Sequence, residues 1–194
     1  MEIQAETLAL LEWDRLGEQV AGFAGSCLGA SLCQPLQLAS SLAEAQRRQL
    51  ETAELLALDG LAEGGLSFQG VTDHSNTVQL CSKGGCASAN DLLQLAETLA
   101  AARRLRRQID DPELRPVTTA LLEGLRTLPE LEQQLRFAIE EGGRVADRAS
   151  PPLAGLRRQL QSQRQERQNR LRELMRRWAN QLQDSVIAQR HGRP

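Results

Sequence analysis

The chain has 194 residues, 23 basic and 25 acidic groups, and a formal net charge of −2, enough for one ordinary domain or two small ones. Hydrophobic residues make up 41%, mostly Leu and Ala, while aromatics are 3% and Tyr is absent; such a composition favours helices over sheets, because Leu, Ala, Gln, Glu and Arg lose little rotamer freedom there. No stretch approaches the roughly 20 apolar residues that cross a bilayer, and the acidic start from Met1 to Thr7 lacks the basic n-region of a secretory signal.

The expected location is therefore cytoplasmic, with Cys27, Cys33, Cys81 and Cys86 reduced. Lys83 is the only lysine, a bias that fits a GC-rich genome as well as selection for bidentate contacts. Charge is unevenly spread. Residues 1–149 hold 13 basic and 22 acidic groups, whereas residues 150–194 hold 10 and 3. A basic segment on an acidic chain can mark an element that faces nucleic acid.

In chain order, Leu8, Leu11, Leu16, Val20 and Phe23 predict a first helix with Trp13 beside them. Leu28 and Leu32 continue it past a weak point at Gly25-Ser26 until Pro35 ends the run. Ser41-Leu-Ala-Glu44 reads as a capping box. The helix it opens carries Leu42, Ala45, Leu50, Ala53, Leu56 and Ala57 and is expected to end at Asp59-Gly60, with Gly60 left-handed. A Gly-rich connection covers 60–74. Asp73 to Ser75 then cap a short helix holding Val78, Leu80 and Cys81, stopped by Gly84-Gly85.

Ser88 caps a longer helix to about Ile109, with Leu92, Leu95, Ala96, Leu99 and Ala102 inward. Pro112 and Pro116 break the chain before two shorter helices, about 116–126 and 129–140. After Gly142-Gly143, Ser150-Pro151 signals a new helix start. A helix over 151–185 would be roughly 50 Å long, against an average of about 11–12 residues in globular proteins. Leu153, Leu156 and Leu160 make one apolar seam in it, and Leu171, Leu174, Trp178 and Leu182 another. Nothing apolar lies between Gln161 and Arg170, so this part is expected to be exposed, as in a lever held at its ends. The tail from Val186 to Arg190 reads as strand-like, and the stop at His191-Gly-Arg-Pro194 reads as a truncation.

The fold class expected is all-α: a multi-helix N-terminal core over 1–149, then one long lever-like helix over 150–194 with the start of a further segment.

Motifs for catalysis fail one by one. Gly60-Leu-Ala-Glu-Gly-Gly65-Leu66-Ser67 has the glycine spacing of a phosphate loop, but Leu66 stands where its lysine belongs and no strand precedes it. Gly65-Leu-Ser67-Phe-Gln69 lacks the last glycine of a nucleophile elbow. Cys81-Ser-Lys-Gly-Gly-Cys86 is the only conceivable zinc half-site, and nothing completes it. His74 and His191 stand alone. Asp110, Asp111, Glu140 and Glu141 lie at expected helix ends, where solvation rather than burial is the rule. No catalytic residue and no metal ligand is assigned.

Two basic clusters remain. Arg103-Arg104 and Arg106-Arg107 suit a helix C-terminus, where cations complement the dipole. The long helix carries Arg157, Arg158, Arg164, Arg167, Arg170, Arg172, Arg176 and Arg177 against Glu166, Glu173 and Asp184. The candidate nucleic-acid contacts are Arg164, Arg167, Arg170, Arg172, Arg176 and Arg177, acting on phosphates with little base reading; the bland alternative is a solvated face.

The order of segments resembles the second bacterial MutS subfamily, MutS-two. The opening Glu6-Thr7-Leu8-Ala-Leu-Leu-Glu12-Trp13 with Phe23-Ala-Gly-Ser26-Cys-Leu28-Gly29 is similar to that family's N-terminus. Lys83-Gly-Gly85, Asp91-Leu-Leu and Leu99-Ala-Ala-Ala-Arg103-Arg-Leu105-Arg106 resemble its second block. Ala149-Ser150-Pro151-Pro-Leu153 running into Leu156-Arg157-Arg158 resembles a third, and Arg190-His-Gly192-Arg193 the next.

The resemblance implies a multi-domain, homodimeric DNA clamp like mismatch-repair MutS, with helical core, levers, an ABC-type ATPase and a C-terminal Smr endonuclease. It further implies branched or mismatched DNA as a partner, suppression of recombination, and for some members action on stalled ribosomes through rRNA. ATP and Mg would belong to the ATPase part, which these residues do not include, so no catalytic role carries over. The alternative is a stand-alone helical interaction or dimerisation adaptor.

Overall fold

The structure, a computed structural model, describes residues 5–62 and 64–181. Among these residues the regular structure is helical apart from one hairpin with two residues in each strand. Two compact units are formed, one up to Val145 and one from Ala146 onward.

The N-terminal unit begins with three short helices, α1 (Ala5–Leu10), α2 (Trp13–Ala21) and α3 (Cys27–Leu32), not the continuous run expected from the leucine spacing. The first break is at Glu12, whose backbone is left-handed at φ 49°. One long-range tie and one local tie explain it. The Trp13 indole donates to the Leu36 carbonyl at 2.7 Å, and Glu12 turns its carboxylate onto Arg15 at 2.8 Å. The second break follows Gly22, and Ser26 caps α3 by accepting from the Gly29 amide at 3.1 Å. Buried Gly17 sets the approach of α2 to the end of α3. A Cβ there would lie 2.7 Å from the Cys33 carbonyl oxygen, so only a residue without one lets the backbones come this close.

Helix α4 (Leu42–Leu61) starts where expected, but its capping box is offset. Ser41 accepts from the Glu44 amide at 3.2 Å, while Glu44 reaches the amide and hydroxyl of Ser40 at 2.7 and 2.6 Å rather than Ser41. Arg48 adds an ion pair at 2.6 Å. The Ser40 hydrogen bonds, with help from Arg48, hold the Glu44 carboxyl well below its ordinary 4.5, at about 2. A carboxyl depressed on folding stabilises above its unfolded pKa and stops doing so as pH falls through its folded one. Thermal melts of Glu44→Gln are therefore expected to lose part of the acid sensitivity of the parent between about pH 4.5 and pH 2. Identical pH profiles would show that this contact is not formed in solution.

Gly60 is not the left-handed stop of α4. The helix runs through it to Leu61, and Gly64 and Gly65 take the positive φ angles instead. Asp59 explains the change: its carboxylate accepts from the Leu66 amide at 2.6 Å and so ties the next turn to the helix.

Helix α5 (Ser75–Ser82) follows the loop as expected, with Asp73 accepting from the Ser75 amide at 2.8 Å. Thr98 clamps that loop from the next helix. It donates to the Gly70 carbonyl at 2.7 Å, accepts from the Thr72 amide at 3.2 Å and lies 2.9 Å from His74 Nε2. His74 thus takes part in holding the loop.

Helix α6 (Ala89–Ile109) is the spine of this unit, opened by a full capping box between Ser88 and Asp91. Its buried residues are Ala96, Ala101, Leu105 and Ile109; of the expected inner face only Ala96 is fully covered. Helix α6 packs closely on α8 (Pro129–Ala138), and Leu105 and Ile109 join Leu58 of α4 in the core. Leu55, Leu66, Val71 and Leu122 pack around that trio.

The reversal after α6 is held by polar side chains. Arg115 donates to the carbonyls of Ile109 and Gln108 at 3.1 and 3.2 Å, satisfying the end of the helix. Helix α7 (Pro116–Leu121) is shorter than expected and passes into a 3-10 turn at Leu122–Gly124. Glu54 of α4 caps α7 from a distance, accepting from the Val117 and Thr118 amides at 3.2 and 2.7 Å. Partial burial pushes the Glu54 carboxyl up, but these hydrogen bonds and Arg115 outweigh it, so the net direction is down.

Helix α8 also ends early, because the chain turns into a hairpin of β1 (Ile139–Glu140) and β2 (Arg144–Val145), with Ile139 opposite Val145. Gly142 and Gly143 make its turn at φ 102° and 71°. Gly143 also meets the start of α6, where a Cβ would overlap Asn90 Oδ1. The hairpin escaped the sequence reading because two residues per strand show no alternation.

In the second unit a 3-10 turn, Asp147–Ala149, leads to α9 (Leu153–Arg177). The helix starts at Leu153, not Pro151, and no side chain caps it at Pro152. Its 25 residues span about 37 Å, and Trp178 closes it by donating its amide to the Leu174 carbonyl at 3.0 Å. Leu182, Asp184 and the tail from Val186 to Pro194 lie outside the described residues. No helix among the described residues is long and apolar enough to cross a membrane.

Candidate nucleic-acid interface

Helix α9 supplies the six arginines singled out by the sequence. At about 100° per residue, they divide into three pairs. Leu153, Leu156, Leu160, Leu171, Leu174 and Trp178 form one stripe, since the two leucine seams share a face of a single helix. Arg164 and Arg167 sit within that stripe, across the gap between the seams. Arg172 and Arg176 lie on the opposite side, and Arg170 and Arg177 on a flank.

The pairs differ in what holds them. Arg170 is bound to Glu166 at 2.5 Å, a spacing typical of a helix-surface ion pair. The Arg177 guanidinium lies 6.0 Å from the Trp178 ring centroid, within reach of a cation–π attraction. Arg164, Arg167, Arg172 and Arg176 have no hydrogen-bond or ion-pair partner among the described residues. Every residue from Gln161 to Arg170 is exposed, in keeping with the polar middle expected there.

The side opposite the leucine stripe holds more than arginine. Arg158, Gln161, Gln165, Asn169, Arg172 and Arg176 recur along it at spacings of three and four. Gln165 donates to Asn169 at 3.3 Å, and Arg158 donates to the Ala154 carbonyl at 3.3 Å. Arg158 to Arg176 covers about 27 Å of helix. The amides escaped the sequence reading because only basic residues were weighed; their 3.6-residue recurrence between arginines was the available signal. At the other end of α9, Arg157 pairs with Asp147 and so fastens the helix start to the preceding turn.

This strip can donate many hydrogen bonds to anionic oxygens. Among the described residues no group of three His, Cys, Asp or Glu side chains is placed to hold a metal ion. The four cysteines are free thiols, three exposed and Cys33 half-buried. Asp110 and Asp111 serve Arg106 and Arg115 at 3.7 and 3.5 Å, and Glu140 serves Arg144 at 3.0 Å. Of the cluster at the end of α6, Arg103, Arg104 and Arg106 are likewise engaged. Arg103 makes a two-pronged contact with Glu132 of α8, both bonds 3.1 Å, and Arg104 donates to the carbonyls of Ser67 and Gln69 at 3.3 and 3.0 Å.

Comparison with known proteins places these features in a lineage. No protein-family model matches the chain. It is 36% identical over 193 residues to Endonuclease MutS2 of Synechocystis sp., an alignment spanning 100% of this chain and 24% of that protein. It is 36% identical over 190 residues to Endonuclease MutS2 of Symbiobacterium thermophilum and 34% identical over 194 residues to that of Pelotomaculum thermopropionicum. The chain thus spans about a quarter of the length of the curated relatives it matches.

Proposed function

The chain belongs to the MutS2 family, and on that premise we propose that it is a non-catalytic core and lever segment of a nucleic-acid-binding machine. Helix α9 contacts phosphates through Arg158, Arg172 and Arg176, with Gln161, Gln165 and Asn169 between them. One observation carries this reading. A single unbroken helix sets a leucine stripe on one side and, on the other, Arg172 and Arg176, which have no hydrogen-bond or ion-pair partner among the described residues, so one side is suited to protein and the other to a polyanion.

In a longer MutS2-type protein such a helix would transmit movement from an ATPase to a DNA clamp, with ATP and Mg held elsewhere. Branched or mismatched DNA and the ribosome are the partners this reading favours. Suppression of recombination and action on stalled ribosomes are the corresponding roles, in a cytoplasmic homodimer. The leucine stripe supports a second reading, a helical adaptor that dimerises. Leu156, Leu160 and Leu174 are 58%, 48% and 52% exposed, which leaves apolar area for a second helix.

Salt separates the two. Anisotropy titrations of a labelled DNA junction and of an rRNA hairpin are expected to show log K falling with log salt at about −0.9 per phosphate contact, or roughly −2.7 for three. A flat dependence, together with sedimentation as a dimer, would overturn the first reading in favour of the adaptor. The stronger of the two ligands identifies the partner.

A further inference from the structure

Within the N-terminal unit, a cleft lies between the end of α6 and the start of α8. The cavity measures about 380 Å³ and is lined by Arg103, Arg106, Arg107, Thr127, Glu132 and Gln133, with Pro129 at its edge. Its volume falls in the range of small-ligand pockets, about 300–1,000 Å³.

The charges in and around it do not cancel. Glu132, 8% exposed, is the only carboxylate in the lining, and it is already shared between Arg103 at 3.1 Å and Arg136 at 3.7 Å. Arg106 donates to the Leu125 carbonyl and faces Asp110 at 3.7 Å. Arg107 has no hydrogen-bond or ion-pair partner among the described residues. In the lining itself three guanidinium groups, from Arg103, Arg106 and Arg107, thus meet one carboxylate, from Glu132, leaving two positive charges. Glu130, the other acid in the first turn of α8, does not line the cavity.

The partners of these arginines also fix their forks. Arg103 spends Nε and one Nη2 hydrogen on Glu132, and Arg106 spends an Nη1 hydrogen on a carbonyl, so each keeps further N–H groups. Guanidinium groups held this way match the tetrahedral oxygens of a phosphate, and do so bidentately. Thr127 and Gln133 add neutral donors that recognise oxygen without altering the charge.

We propose that this cleft binds a phosphate group, with Arg107 and the unspent N–H groups of Arg106 as its principal donors. The group is either that of a free nucleotide or one in a nucleic-acid backbone, and two net positive charges balance a phosphate dianion. The site lies in a different unit from α9 and stands whether or not α9 binds nucleic acid.

The test follows the arginine Nε–Hε signals of the full chain by NMR at constant ionic strength. The probes are inorganic phosphate, adenosine monophosphate and an octathymidylate. The octathymidylate is used in an Arg172→Glu/Arg176→Glu background, so that α9 does not contribute. Saturable shifts at Arg106 and Arg107 are expected, with at least a tenfold weaker phosphate affinity in Arg107→Ala and no weakening in Lys83→Ala, which removes the same charge elsewhere. Non-saturating shifts, equal binding by Arg107→Ala, or equal weakening by Lys83→Ala would overturn the site. Tighter binding of the mononucleotide assigns the source as a free nucleotide, and tighter binding of the octathymidylate assigns a backbone phosphate; either upholds it.

Discussion

Leu105→Ala is expected to destabilise the N-terminal unit by about 2–5 kcal/mol, the usual range for emptying a buried leucine site. Leu105 is 8% exposed and joins Leu58 and Ile109 where α4 and α6 meet. Removing its isobutyl group loses the transfer energy of the buried carbons and leaves a void that helices pinned at both ends collapse into only partly. Those pins are specific: Thr98 holds the loop on one side and Arg115 the carbonyls at the end of α6.

With domain stabilities of about 5–15 kcal/mol, one such site is a large share of the total. Leu114, 71% exposed, supplies the control: Leu114→Ala is expected within about 0.5 kcal/mol of the parent. Urea denaturation measures both, as a change in midpoint at constant slope. A loss under about 1 kcal/mol for Leu105→Ala would mean that the core trio is not the main support of this unit.

Arg172→Glu/Arg176→Glu is expected to weaken nucleic-acid binding roughly 100-fold at low salt and to reduce the salt slope by about 1.8, because two phosphates are left without a guanidinium partner. Helix content is expected to hold, since Glu and Arg have similar helix propensity; circular dichroism checks that. The contrasting pair is Arg164→Leu/Arg167→Leu, which joins the two leucine seams into one stripe. Those variants are expected to leave nucleic-acid affinity within about threefold and to promote self-association, because they remove charge from the leucine side and extend its apolar area. If instead Arg164→Leu/Arg167→Leu abolishes binding while Arg172→Glu/Arg176→Glu preserves it, the interface lies on the leucine side, and the proposed orientation of α9 is wrong.

Much of the candidate site was legible before any coordinates. The polar run from Gln161 to Arg170 predicted an exposed helix middle, and every residue there is exposed. Taken by chain position alone, however, the six arginines read as one patch, and the helix separates them into three pairs. Angular position decides this, and it requires a continuous helix whose phase carries from Leu153 to Trp178. The same phase makes two leucine seams one stripe and brings Gln161, Gln165 and Asn169 into line with Arg158, Arg172 and Arg176. In the α6 cleft the limit is different. The sequence explained Arg103 to Arg107 by the helix dipole alone, because Glu132 and Thr127 come from a segment beyond α7.

By itself the sequence determined the helical class, the placement of most helix starts, and the exposed basic character of α9. These follow from local physics: Leu and Ala propensity, Ser and Asp caps at Ser41, Asp73 and Ser88, and the 3.6-residue period. Tertiary structure alone decided where helices stop and what the arginines do. Trp13 reaching Leu36 breaks the first helix, Asp59 reaching Leu66 carries α4 through Gly60, and Glu54 caps α7 across 63 residues of chain. Each is a hydrogen bond between segments far apart in sequence or across a turn. Its energy exceeds the few tenths of a kcal/mol per residue by which ordinary side chains differ in helix preference.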